Sequence, residues 1–207
     1  MYADDILLLA NSVTDLQLML NLCSNIFQEL DLPINVEKSH CLRIGPRCKF
    51  TCKPLTLSGA SIAWSSNTKY LGITLCNSTK FSCCWKEVKS KFYCSVNTLL
   101  GRIGSSASEN VLLKLLDSQA LPVLLYGTCA ATLSASDLKS LSYAYDSAFA
   151  KNFKTMCTST IRFCQYYSGY LSFSLCYDLN RFKFLHNLMS TGKLSINCKV
   201  DDEDVRK

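Results

Sequence analysis

Asp4 and Asp5 stand side by side after Met1-Tyr2-Ala3 and directly before the apolar run Ile6-Leu7-Leu8-Leu9-Ala10. A run of that length fits a strand buried on both faces. A carboxylate pair at the mouth of such a strand cannot stay both charged and dry, because an unpaired buried charge carries a large desolvation cost. The pair must be solvated in an ordinary turn, protonated, or neutralised by a partner. A hard divalent cation with oxygen ligands suits two carboxylates best.

The downstream chain must supply the elements that position this pair. Thr14-Asp15-Leu16-Gln17 has the form of a capping box and predicts a helix start. Leu16, Met19, Leu20, Cys23, Ile26, Phe27 and Leu30 then recur at three and four, giving one apolar stripe that ends before Pro33. Ile34–Ser39 and Cys41–Ile44 alternate as a strand would, up to Gly45-Pro46. Short strands are predicted at Leu55–Leu57, Ser61–Trp64 and Tyr70–Leu75, with a turn at Ser58-Gly59 and a break at Asn77-Ser78.

From about Phe81 to Ile103 the period becomes helical, through Trp85, Val88, Phe92, Val96, Leu99 and Ile103, with Lys86, Lys89 and Lys91 off that stripe. Ser106-Ala107-Ser108-Glu109 is a second capping box, opening a helix that runs to Pro122. Two further stripes, Leu138-Leu141-Tyr145-Phe149-Phe153 and Leu179-Phe182-Leu185-Leu188, predict packing helices, and Tyr166, Tyr167 and Tyr170 are expected in the core between them. The fold class is α+β. Four regions follow: residues 1–79 with short antiparallel strands, 80–130 and 131–200 mostly helical, and a charged tail at 201–207.

A hydrophobic content of 48% with only 18% charged residues argues against disorder. No apolar run approaches the roughly 18 residues of a spanning helix. Asp4-Asp5 occupies the place where a signal peptide would carry positive charge, so the expectation is an intracellular chain, nuclear or cytoplasmic and not secreted. The thirteen cysteines fall in no zinc spacing and read as scattered thiols.

Net charge is +6, but eleven Lys or Arg (Lys38, Arg43, Arg47, Lys49, Lys53, Lys69, Lys80, Lys86, Lys89, Lys91, Arg102) face one acid, Glu87, between residues 38 and 102. That block is +10 and the remainder −4. Such a block suits phosphate contacts, the alternative being a solvated basic surface.

Tyr2-Ala3-Asp4-Asp5 with its aliphatic run resembles the catalytic hairpin of reverse transcriptases, in the wording of the non-LTR, LINE-type retrotransposon branch. Asn35-Val36-Glu37-Lys38-Ser39 is similar to the block that follows the palm helix in that family. Lys69-Tyr70-Leu71-Gly72-Ile73 resembles its primer-contacting hairpin, and Leu121–Gly127 a segment of its thumb region.

The resemblance implies a partial palm over 1–79 and thumb-like helices over 80–130. It implies two-metal nucleotidyl transfer on an RNA template and DNA primer with deoxynucleotides. Asp4 and Asp5 would hold two Mg2+ ions, and Lys38 would protonate the leaving pyrophosphate. Tyr2, Lys69, Tyr70, Leu71, Gly72, Lys86, Lys89 and Lys91 would contact nucleic acid.

Family members carry a further metal-binding Asp on an earlier strand and a fingers subdomain, whereas only Met1-Tyr2-Ala3 precede Asp4 here. The expectation is therefore a polymerase-derived chain that is inactive alone. The alternatives are a non-enzymatic nucleic-acid-binding remnant acting through the basic block, and a helical interaction module.

Overall fold

Ser12, rather than Thr14, starts the first helix of the computed structural model, which describes residues 4–103 and 107–191. Ser12 is extended (φ −130°, ψ 156°), as an N-cap must be; its Oγ accepts from the Asp15 N–H at 3.0 Å and donates to the Asp15 carboxylate at 2.7 Å. The helix, α1 (Val13–Glu29), ends before Pro33 as expected. Asp31 takes a left-handed φ of 55°, and the N–H groups of Asp31 and Leu32 return to the carbonyls of Gln28 and Phe27.

Shifting the cap frees Gln17 from its predicted role. Its amide instead pairs with a strand peptide: Nε2 donates to the Thr56 carbonyl at 2.7 Å, and the Thr56 N–H donates to Oε1 at 2.8 Å. One side chain thus satisfies a donor and an acceptor on a strand edge.

Two predicted strands, Ile6–Ala10 and the one over Ile34–Ser39 and Cys41–Ile44, are not formed. Ile6–Ala10 is in no strand, and Ile6 and Leu9 are 38% and 75% exposed. A strand is stable only through a neighbour, and among the described residues none pairs with this run. Ile34–Ser39 bends into a turn at residues 36–38 because Asn35 bonds locally, its Oδ1 accepting from the Lys38 N–H at 3.1 Å and its carbonyl from Ser39 Oγ at 2.7 Å. Cys41–Ile44 is reduced to a single parallel bridge between Cys41 and Trp64.

The strands that do form are local hairpins. β1 (Leu55–Leu57) pairs with β2 (Ala60–Ile62) around Ser58-Gly59, where φ is 51° and 80°. β3 (Asn67–Tyr70) pairs with β4 (Ile73–Cys76) around Leu71-Gly72, where φ is 47° and 79°. Two left-handed residues in a two-residue loop match the right-handed twist of the flanking strands. The strand predicted over Tyr70–Leu75 is therefore interrupted at its second residue. β5 (Cys83–Cys84) adds to β4 and delays the following helix to Lys86. A small core joins Leu20 of α1 to Cys41, Leu55, Leu57 and Ile62, with Leu16, Ile34 and Trp64 packed against it.

The chain divides into two compact units, residues 1–84 and 85–207. The boundary between the units falls after Cys84, and β5 belongs to the β4 sheet of the first unit.

Unit 2 is helical. α2 (Lys86–Ile103) buries Val88, Phe92, Val96 and Leu99 along the predicted stripe. α3 (Glu109–Leu115), a π-helical turn (Leu116–Ala120) and α4 (Leu121–Leu125) run on through Pro122, where the sequence pattern predicts an end. The wider π turn shifts the hydrogen-bond ladder just before the residue that lacks an N–H. Ser106 of the second capping box lies outside the described residues.

α5 (Ala135–Asn152), α6 (Thr158–Tyr167) and α7 (Phe173–Ser190) complete the unit. Tyr145 packs on Phe149 with ring centroids 5.1 Å apart, and Phe149 on Tyr170 at 5.9 Å. Burial pushes the Tyr145 hydroxyl well above its ordinary range. The stripe predicted for α7 does not pack: Leu179, Phe182 and Leu185 are exposed, and only Phe173 and Tyr177 are buried. No described helix is long and apolar enough to cross a membrane.

Candidate nucleic-acid interface

Asp4 sits in a turn and both Asp4 and Asp5 are exposed, so neither carboxylate pays for burial. Adjacent solvated carboxylates belong to the right donor class for Mg2+. Among the described residues, however, no group of three or more His, Cys, Asp or Glu comes together to hold a metal ion. The pair is a partial donor set, and no metal-dependent step follows from these residues alone. Tyr2, immediately upstream, lies outside the described residues.

Lys38 is exposed at the turn that Asn35 closes. The Asn35 side chain accepts from the Lys38 backbone N–H, so the turn is held without using the Lys38 ammonium.

Lys69, Tyr70, Leu71 and Gly72 form the closed end of the β3–β4 hairpin, with Tyr70 facing Ile73 across the two-residue loop. Lys69 is exposed and Tyr70 half-buried, as alternation along a strand dictates. The tip combines a cation, an aromatic ring and a tight backbone turn.

Lys86, Lys89 and Lys91 all lie on α2 but do not share one face. Lys89 Nζ donates to Ser140 Oγ of α5 at 2.6 Å, so this lysine flanks the packed side. Lys86 and Lys91 are exposed and, five residues apart, point about 140° away from each other around the helix. A flat nucleic-acid surface could meet one of them at a time.

Tyr166 and Tyr167, expected in the core, are 77% and 81% exposed on α6 with ring centroids 5.4 Å apart. The core of this helix is made by Ile161 and Gln165, which takes the place a tyrosine would fill by donating to Asp146 Oδ1 at 2.9 Å. Cys157, the N-cap of α6, is also exposed. Hydrogen bonds from Ser159, then Thr160, and their backbone amides lower its thiol to about 6.

Sequence reading counts Arg43 and Lys49 only within the basic block and does not single out Phe50 or Trp64; the fold gathers all four around one cavity of unit 1. The signal was present as cations interleaved with aromatic residues in a stretch free of carboxylates.

Residues 1–75 match the family described as reverse transcriptase (RNA-dependent DNA polymerase). The matched segment lies within unit 1 and includes the aspartate pair, the Lys38 turn and most of the β3–β4 hairpin. No curated protein and no solved structure matches the chain.

Proposed function

We propose that this chain derives from the palm and thumb of a non-LTR retrotransposon reverse transcriptase. As a 207-residue chain it holds nucleic acid without carrying out nucleotidyl transfer. The observation that carries the proposal is the family match over residues 1–75, coinciding with Tyr-Ala-Asp-Asp in a chain whose basic residues concentrate between 38 and 102.

Two-metal transfer needs ligands that bridge both ions, one stabilising the attacking oxygen and the other the leaving oxygen. Among the described residues Asp4 and Asp5 supply two carboxylates toward that cage, and no third joins them. In a completed site Mg2+ would bring charge neutralisation and activation of the primer hydroxyl. This chain's own part is to place two carboxylates, hold the Lys38 ammonium near the leaving group, and lay the Lys69–Gly72 hairpin against the primer. The basic block neutralises phosphates and releases their counterions.

The test uses an RNA template annealed to a DNA primer. Binding is expected to weaken linearly in log salt and to survive Asp4→Ala with Asp5→Ala. With Mg2+ and deoxynucleotides, no primer extension is expected. Extension that disappears in the double variant would overturn the inactive reading, and absence of binding even at low salt would overturn the nucleic-acid reading.

A further inference from the structure

Between Lys38 and Cys84 the chain carries seven Lys or Arg and no Asp or Glu. Within that stretch the loop from Gly45 to Lys53 is tied down at several points. The Gly45 N–H donates to the Ser78 carbonyl at 2.9 Å, Asn77 Nδ2 to the Cys48 carbonyl at 3.2 Å, and the Trp64 indole N–H to the Lys53 carbonyl at 3.1 Å. Held this way, the loop borders an open cavity of about 360 Å³ lined in part by Arg43, Lys49, Phe50, Trp64, Ser65 and Ser66. Small-ligand sites span roughly 300–1,000 Å³, so one nucleotide fits.

The lining has two chemistries. Trp64 packs against the core of unit 1 and lines the cavity, with its N–H already used. With the N–H engaged, what remains to a ligand is the part of the ring that lines the cavity. Phe50 is 69% exposed at the rim, an apolar ring in water at the mouth of a cavity. Arg43 Nη1 donates to the Phe50 carbonyl at 3.3 Å and also contacts the Cys52 sulfur, which positions the guanidinium. A guanidinium has five donors, so capacity remains for a phosphate. Lys49 and the hydroxyls of Ser65 and Ser66 add a charge and two more donors.

We propose that this cavity binds one nucleotide of a single-stranded nucleic acid, its base against Trp64 and Phe50 and its phosphate met by Arg43 and Lys49. The proposal rests on the nucleic-acid reading above and names the part of the chain that contacts an unpaired base. Aromatic faces accept only a base released from its stack, which selects a single strand over a duplex. An acidic peptide would use the cations and leave the rings without a role.

The chain's two tryptophans make the test direct, since Trp64 lines the cavity while Trp85 is buried in unit 2. The full chain is titrated with an oligouridine of about 12 nucleotides, the length that single-strand grooves span. Intrinsic fluorescence is read beside the anisotropy of a labelled copy of the same strand. Saturable quenching is expected, lost in Trp64→Phe, and shifted about 5- to 100-fold to weaker binding in Phe50→Ala, where truncation at an exposed site leaves the circular dichroism unchanged. Arg43→Ala should lower the slope of log affinity against log salt by about one.

Strand binding seen by anisotropy with silent Trp64 and an unaffected Phe50→Ala would overturn this site and leave the nucleic-acid reading standing. No strand binding by either readout overturns this site, and joined to absent template–primer binding at low salt it overturns both. A uridine monophosphate response as strong as the strand's would replace the strand by a free nucleotide.

Discussion

α1 of unit 1 and α5 of unit 2 begin alike and finish differently. Each opens on a serine N-cap whose hydroxyl accepts from the amide of an aspartate three residues on, Ser12 with Asp15 and Ser134 with Asp137. They run 17 and 18 residues. Yet α1 buries only Leu20, while α5 buries Leu141, Ala144, Tyr145, Ala148, Phe149 and Asn152. The caps are local and equivalent; what differs is the number of partners each helix finds. α5 packs on α2, α3, α4, α6 and α7, whereas α1 lies against one hairpin and the irregular segments that carry Ile34 and Cys41. Leu18, Leu22 and Ile26 on α1, and Leu30 at its C-cap, consequently remain in water although the chain made them apolar.

This contrast can be broken by substitution, following unfolding of each unit through its own tryptophan, Trp64 or Trp85. The largest effect is expected at Phe149, 2% exposed: Phe149→Ala should cost unit 2 about 3–5 kcal/mol in denaturant unfolding. Leu20→Ala should cost unit 1 less, about 2–3 kcal/mol, because a site beside a shallow core can relax. An equal cost at the two positions would mean that unit 1 is packed as deeply as unit 2.

Ser12→Ala and Ser134→Ala should each cost about 1 kcal/mol, the same in both units, since each removes the same capping bond. A much larger loss at Ser134 would show that caps are amplified by tertiary packing. Leu22→Ser on the uncovered face of α1 should change stability by no more than about 0.5 kcal/mol. A cost near that of Leu20→Ala would show that this face is covered in solution.

Thiol chemistry gives the smallest energetic but clearest contrast. Cys157 should alkylate with a rate that rises as pH climbs through about 6 and then levels, because the thiolate is the nucleophile and its hydrogen bonds favour that form. Burial raises the thiols of Cys41 and Cys176, so both should stay unmodified until well above neutral pH. Peptide mapping after iodoacetamide treatment across a pH series reads all three; uniform labelling would refute the assignment.

Local signals in the sequence carried where they needed no distant partner. The Ser58-Gly59 turn, the α2 stripe from Val88 to Leu99 and the stop before Pro33 are each decided within a few residues. They failed where a second segment had to agree. Ile6–Ala10 has the composition of a buried strand but no strand beside it among the described residues, and Leu179, Phe182 and Leu185 form a stripe with nothing against it. The Thr14-Gln17 box lost to Ser12 because the Gln17 amide gained two bonds on the Thr56 peptide, a partner 39 residues away.

By itself the sequence determined the aspartate pair, the carboxylate-free basic stretch, the helix periods and the Ser58-Gly59 turn, because each depends on residue type and short spacing. Tertiary structure alone decided which apolar stripe found cover, that Lys89 is drawn to Ser140 while Lys86 and Lys91 diverge, and that Arg43, Phe50 and Trp64 surround one cavity. Those outcomes depend on closing loops between residues far apart in the chain. No local pattern encodes which closure repays its entropy.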